Sequence, residues 1–82
     1  MFFVYILENS EGKHYVGYTS KDLEERVREH NSAKGRWTRY KGPWILVHSE
    51  GFHTKAEAFK REQQVKKYKG GRALQELVIK QG

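Results

Sequence analysis

Apolar and polar positions along this 82-residue chain follow two different periods. Residues 2 to 8 and 14 to 18 are rich in aromatic and β-branched side chains, and Asn9-Ser10-Glu11-Gly12 between them is a cluster of turn formers. That composition predicts a β-hairpin. From Ser20 the period lengthens. Leu23 and Val27 stand four apart with charges between them, which predicts a helix capped by Thr19 or Ser20 and ending near Ala33. Lys34 to Pro43 contains Gly35, Gly42 and the only proline, and reads as an irregular connection with room for a short helical turn. Trp44 to Ser49 resumes as a strand. Thr54-Lys55-Ala56-Glu57 fits a capping box, in which hydroxyl and carboxylate satisfy free amides at a helix start, and a long helix should follow to about Tyr68. Gly70-Gly71 can stop it, and Ala73, Leu74, Leu77 and Val78 repeat at helical spacing in a short terminal helix. The order ββαβαα predicts an α+β fold, a small three-stranded antiparallel sheet flanked by helices, in a single domain over residues 1–82.

The phase of the long helix singles out one residue. Its buried stripe should run through Lys55 or Ala56, Ala58 and Phe59, then Glu62, then Val65, so a carboxylate occupies a core-facing turn. Burying an unpaired charge costs several kcal/mol, roughly the margin that keeps a small domain folded. Glu62 therefore needs a metal, a cleft or a neighbouring Lys or Arg. Arg26 and His30, four apart, project from one helix face and can meet one phosphate; the plainer alternative is a solvated face beside Glu25 and Glu29. Tyr5 and Tyr15 stand in the two hairpin strands, where both hydroxyls can enter one cleft or simply rim the core. Gly17, in a strand of bulky residues, marks a close approach by a ligand or another backbone.

Charge widens the picture. Sixteen Lys and Arg against ten Asp and Glu give a net charge of +6, which suits a polyanion, nucleic acid first, although a solubilising surface would look the same. Lys34, Arg36, Arg39 and Lys41 interleave with Trp37 and Tyr40, a mix that can clamp a backbone and stack an exposed base. A second basic run, Lys60, Arg61, Lys66, Lys67, Lys69 and Arg72, follows the Glu62 helix. Contacts of this kind predict steep salt dependence and recognition of shape over sequence. The chain has no cysteine, which excludes disulfides, thiolate metal sites and a cysteine nucleophile and suits a reducing, cytoplasmic setting. The apolar Phe2–Leu7 run is only six residues long and has no cationic segment before it, so neither a signal peptide nor a membrane span is expected.

Taken in order, these residues resemble the GIY-YIG nuclease superfamily, in particular its small stand-alone bacterial members. Phe3-Val4-Tyr5 is similar to the first motif and Tyr15-Val16-Gly17 to the second. Leu23-Glu24-Glu25-Arg26 with Glu29-His30-Asn31 is similar to the family's first helix, and Ala58-Phe59-Lys60-Arg61-Glu62 with Gln64 and Lys66-Lys67 to the helix that supplies a metal-binding glutamate. Phe3 stands where the name-giving motif has glycine, and no asparagine follows Glu62 as it does in several branches. The resemblance implies an endonuclease that hydrolyses phosphodiester bonds with one divalent cation, Mg²⁺ or Mn²⁺, held by Glu62. It implies that Arg26 offsets charge on the phosphorane-like centre, that Tyr15 helps take a proton from the attacking water, that Tyr5 orients the water or the cation's hydration shell, and that His30 is a proton or phosphate partner. DNA is expected ahead of RNA, in repair or recombination. The rival expectations are a nucleic-acid-binding module with little catalysis and an interaction domain that recruits a larger repair enzyme.

Overall fold

The computed structural model describes residues 1–32, 43–69 and 71–81, the last three as backbone only. Three strands and three helices follow one another as β1 (Phe2–Asn9), β2 (His14–Thr19), α1 (Leu23–Asn31), β3 (Trp44–Phe52), α2 (Lys55–Lys66) and α3 (Arg72–Gln81). The sheet is antiparallel in the order β2-β1-β3, so the expected α+β arrangement, a three-stranded antiparallel sheet with three helices, is what forms.

The central position of β1 explains why its sequence is a continuous apolar run. Side chains alternate across a strand, and β1 is covered on both faces. Tyr5 and Leu7 pack with Trp44 against Tyr15, Leu23 and Val27 on the α1 side. Ile6 packs with Val65 and Leu74, and Val16, Val47, Tyr68, Leu77 and Val78 complete that side under α2 and α3. Val4, Ile6 and Leu7 are fully buried. Where β1 meets β3 the register slips between Ile6 and Leu7, so that Ile6 faces His48 and Leu7 faces Leu46.

Several boundaries differ from the sequence expectation, each for a local reason. Asp22, not Thr19 or Ser20, caps α1, its carboxylate accepting from the Glu25 amide at 3.3 Å, while the Thr19 hydroxyl accepts from the Lys21 amide inside the preceding turn. The helix ends at Asn31, where the Ser32 amide and hydroxyl both donate to the Glu29 carbonyl. β3 continues past Ser49 to Phe52 because Phe2, Phe3 and Val4 pair with Phe52, Gly51 and Glu50, and ladder pairing overrides the turn-like composition there. Thr54 caps α2 as expected, its hydroxyl accepting from the Glu57 amide at 3.2 Å, while the Glu57 carboxylate accepts from that hydroxyl at 2.9 Å where the capping box has it on a backbone amide. α2 stops at Lys66, two residues early, and Lys69 adopts the left-handed conformation (φ 50°) that glycine was expected to supply.

Two clips fix the helices on the sheet. The Asn31 side chain accepts from the Trp44 amide at 2.6 Å and donates to its carbonyl at 3.1 Å, tying the end of α1 to the start of β3. On the other face, Arg61 of α2 grips Glu50 of β3 with Nε at 2.8 Å and Nη2 at 3.1 Å, and Glu50 also bonds the His48 ring at 2.6 Å. Burial alone would raise the Glu50 carboxyl, but the hydrogen bonds from Arg61 and His48 outweigh it and hold the group below its ordinary value. Among the described residues no helix is long and apolar enough to cross a membrane.

Candidate active site

The hairpin register determines which strand residues face α1. Tyr5 sits opposite Gly17 and Leu7 opposite Tyr15, so both tyrosines fall on the same face and their ring centroids are 6.3 Å apart. Gly17 makes room for them. A Cβ at that position would stand 2.8 Å from the Tyr5 hydroxyl and 3.0 Å from the Tyr15 ring, so what comes close at Gly17 is the two tyrosine side chains, where the sequence suggested a ligand or another backbone.

From α1 the i, i+4 pair of Arg26 and His30 arrives above these rings. Arg26 Nε donates to the Tyr5 hydroxyl at 3.2 Å, and the same oxygen lies 2.7 Å from His30 Nε2. A guanidinium only donates, so the Tyr5 oxygen accepts from Arg26, and its bond to His30 Nε2 runs in the direction that the imidazole tautomer sets. Burial pushes the imidazole down to about 4, and the Arg26 charge pushes the same way. Tyr5 is 1% exposed, and burial raises its phenol to about 12 against the pull of Arg26, with the charge of Glu62 adding to the rise. The Tyr15 ring packs 4.7 Å from the imidazole and 6.5 Å from Trp44 and is only partly covered. The structure thus brings Tyr5, Tyr15, Arg26 and His30 into one contiguous cluster whose polar centre is the Tyr5 hydroxyl.

Glu62 lies on the buried stripe of α2 with Ala58 and Val65, as the helix phase requires, and is 6% exposed. Phe59 does not share that stripe; it is 49% exposed, because the stripe follows the i, i+4 row from Ala58 to Glu62 and Phe59 falls one residue to its side. The Glu62 carboxylate accepts from the Gln63 side-chain amide at 3.0 Å and stands 3.5 Å from the Lys66 ammonium. An amide thus supports this carboxylate although no asparagine follows it in sequence. Among the described residues no group of three or more His, Asp or Glu side chains converges as a metal cage. A lone buried carboxylate nonetheless fits a hard, mostly hydrated cation, which takes one or two protein carboxylates and completes its shell with water and phosphate oxygens.

Two residues outside the sequence-derived set belong to this neighbourhood. Glu29 accepts from Arg26 Nη1 and from Lys21 Nζ, both at 2.7 Å, and these two hydrogen bonds drive its carboxyl down to about 2. The signal was available as the i, i+3 spacing from Arg26, but a charge pair on a helix surface is too common to single out. Gln63 gave no signal beyond adjacency to Glu62. Lys66 and Lys67 stand exposed at the end of α2, whereas Lys34, Arg36, Trp37, Arg39, Tyr40 and Lys41 lie outside the described residues.

Comparison with known proteins places this chain in a family. The sequence matches the model of the GIY-YIG catalytic domain over residues 1–73. It is 45% identical over 67 residues to a UPF0213 protein of Halobacterium salinarum, covering 80% of this chain and 86% of the relative. A UPF0213 protein of Haloquadratum walsbyi is 48% identical over 67 residues, 80% of this chain and 74% of its own length. The solution NMR structure of a UPF0213 protein from Bacillus halodurans superposes with a TM-score of 0.56 at 39% identity, covering 98% of this chain and 84% of that one. With the family model spanning nearly the whole chain and a solved relative sharing the fold, this chain belongs to the GIY-YIG catalytic domain family.

Proposed function

We propose that this chain is a metal-dependent endonuclease that hydrolyses phosphodiester bonds in nucleic acid, DNA first, with structure-selective or weak selectivity. The observation that carries the reading is the hydrogen-bonded line from Arg26 through Tyr5 to His30 with the Tyr15 ring against it. Tyr5 is buried and its phenol is raised to about 12, so it is a poor base and a good positioning residue. It holds Arg26 by Nε and shares its hydroxyl with the neutral His30 ring. The partly covered Tyr15 is then the phenol that can meet an attacking water and take its proton. Arg26, with Nε on Tyr5 and Nη1 on Glu29, keeps further N–H donors for the phosphate oxygens on which charge builds. Glu62 would hold Mg²⁺ or Mn²⁺, which when bound supplies polarisation of the phosphate and stabilisation of the leaving oxygen. Lys66, Lys67 and the basic aromatic segment Lys34, Arg36, Trp37, Arg39, Tyr40 and Lys41 would grip the backbone, and a cytoplasmic role in repair or recombination follows from such a substrate.

One observation favours a second reading. The Lys66 ammonium, 3.5 Å from Glu62, sits beside the carboxylate where a cation would, and a protein that kept that pair would bind nucleic acid without cutting it. Labelled single-stranded, duplex, forked and flapped DNA, each with Mg²⁺, Mn²⁺ or EDTA, separates the two. Cleavage should need the metal and should vanish in both Glu62→Ala and Arg26→Ala. Cleavage that survives both substitutions removes the proposed site, and tight binding with no cleavage on any substrate favours the second reading.

A further inference from the structure

Phe59 is an aromatic ring held half in water where a polar residue would be expected. It is not loose, because it meets Tyr18 edge to face with ring centroids 6.0 Å apart. Tyr18 opens in turn on a groove of about 460 Å³ whose lining includes Phe2, Thr19, Lys21, Arg26 and Lys55 and contains no carboxylate. Lys55 lies one turn before Phe59 on α2, so the two side chains share a face. Among the described residues no carboxylate stands within 4.0 Å of the Lys55 ammonium, whereas Lys21 is drawn to Glu29 at 2.7 Å. Tyr18, Lys21, Lys55 and Arg26 thus line one groove, and the exposed Phe59 ring stands beside it against Tyr18.

Cations alone would suit any phosphate backbone. The aromatic pair is more selective, because a duplex keeps its base faces stacked inside and offers only edges and backbone, whereas an unpaired base offers a π-face. We propose that this groove receives an unpaired strand of the substrate, one base stacking on the Phe59–Tyr18 pair while Lys55 and Lys21 take phosphates on the way to the scissile bond at Arg26. This rests on the nuclease reading above and deepens it: the substrate is a nucleic acid with an unpaired segment beside the cut, such as a fork or flap.

Fluorescence anisotropy in EDTA tests the groove without requiring cleavage. The probes are labelled oligo(dT), a fork and a fully paired duplex, compared at one common salt concentration and then across a salt series, with the wild type, Phe59→Ala, Phe59→Trp and Lys55→Gln. Phe59→Ala should weaken binding of oligo(dT) and of the fork about tenfold and of the duplex less than about twofold, the loss of one stacked base. Phe59→Trp should restore it. Lys55→Gln should weaken all three and flatten their salt dependence. Circular dichroism and thermal melting establish that each variant is folded; Phe59 is half exposed, so folding is expected to persist. In Phe59→Ala, equal losses on all three probes, or no loss on oligo(dT), overturn the proposal. A wild type that cuts no substrate in Mn²⁺ but shows this pattern of binding overturns the nuclease reading and leaves the groove standing, whereas a wild type that cuts in Mn²⁺ together with a Phe59→Ala variant that cuts and binds the fork as well as the wild type does the reverse.

Discussion

Gly17→Ala is the smallest change that addresses the whole cluster. The added methyl would begin 2.8 Å from the Tyr5 hydroxyl oxygen, 2.9 Å from Tyr5 Cζ and 3.0 Å from Tyr15 Cε1, and ordinary contact starts at 3.4 Å. Tyr5 must then retreat by about 0.6 Å. That movement displaces its oxygen from the positions that give the 3.2 Å bond to Arg26 Nε and the 2.7 Å bond to His30 Nε2. Overpacking in a tight core costs about 1–3 kcal/mol and a lost hydrogen bond about 1 kcal/mol, while alanine recovers about 0.4–1 kcal/mol by restricting the unfolded chain. The net expectation is about 1–3 kcal/mol of destabilisation, which for a domain of this size lowers the melting temperature by roughly 5–20 °C. Urea unfolding followed by circular dichroism measures it. Gly51→Ala is the matched control, since its methyl would meet only the flexible, exposed Met1 thioether at 3.0 Å and the Phe3 ring from 3.6 Å outward. It should be neutral or slightly stabilising. Because a misplacement of about 1 Å costs on the order of 10²-fold in rate, cleavage by Gly17→Ala should fall at least on the order of tenfold. If Gly17→Ala unfolds at the same urea concentration as Gly51→Ala, the two tyrosines do not depend on the missing side chain and the reasoning fails.

Two further outcomes follow from the same geometry. His30 is neutral in the folded state with its pKa lowered to about 4 from an ordinary 6.5, so its contribution to stability is complete above pH 6.5 and is lost as pH falls toward 4. Between pH 7 and 5 the wild type should lose about 2 kcal/mol that His30→Gln does not; equal losses in urea unfolding across that window would show that His30 takes up its proton without penalty. Asn31→Ala removes both amide bonds to the Trp44 backbone and should cost about 1–3 kcal/mol, with Asn31→Asp, which keeps only the acceptor, between it and the wild type. An unchanged unfolding midpoint in Asn31→Ala would mean that the clip between α1 and β3 carries no stability.

Local pattern was enough for the elements whose signal is local. The hairpin, the i, i+4 placement of Arg26 with His30 and the Thr54 cap of α2 follow from composition and spacing within a few residues, and each forms. Helix phase was enough to mark Glu62 as a buried carboxylate, because Ala58 and Val65 on the same row leave it no other side to face. Phase erred by one residue at Phe59, and the extent of β3 was underestimated, because an exposed ring and a longer ladder depend on what other segments do. Resemblance to a family, not periodicity, joined the two tyrosines to the helix residues.

What the sequence determined by itself is therefore the set of elements, their order and the odd position of Glu62. Only the tertiary structure decided that Tyr5 would be the buried centre of the cluster and Tyr15 its partly open edge, since both are strand tyrosines on one face of the sheet and differ in that β1 is its central strand and β2 an edge. It also decided that His30 would be neutral, that Glu29 would hold Arg26, and that Gln63 would support Glu62. These depend on burial and on contacts between segments more than twenty residues apart or on the turn of a side chain at a helix surface, and a one-dimensional period carries neither.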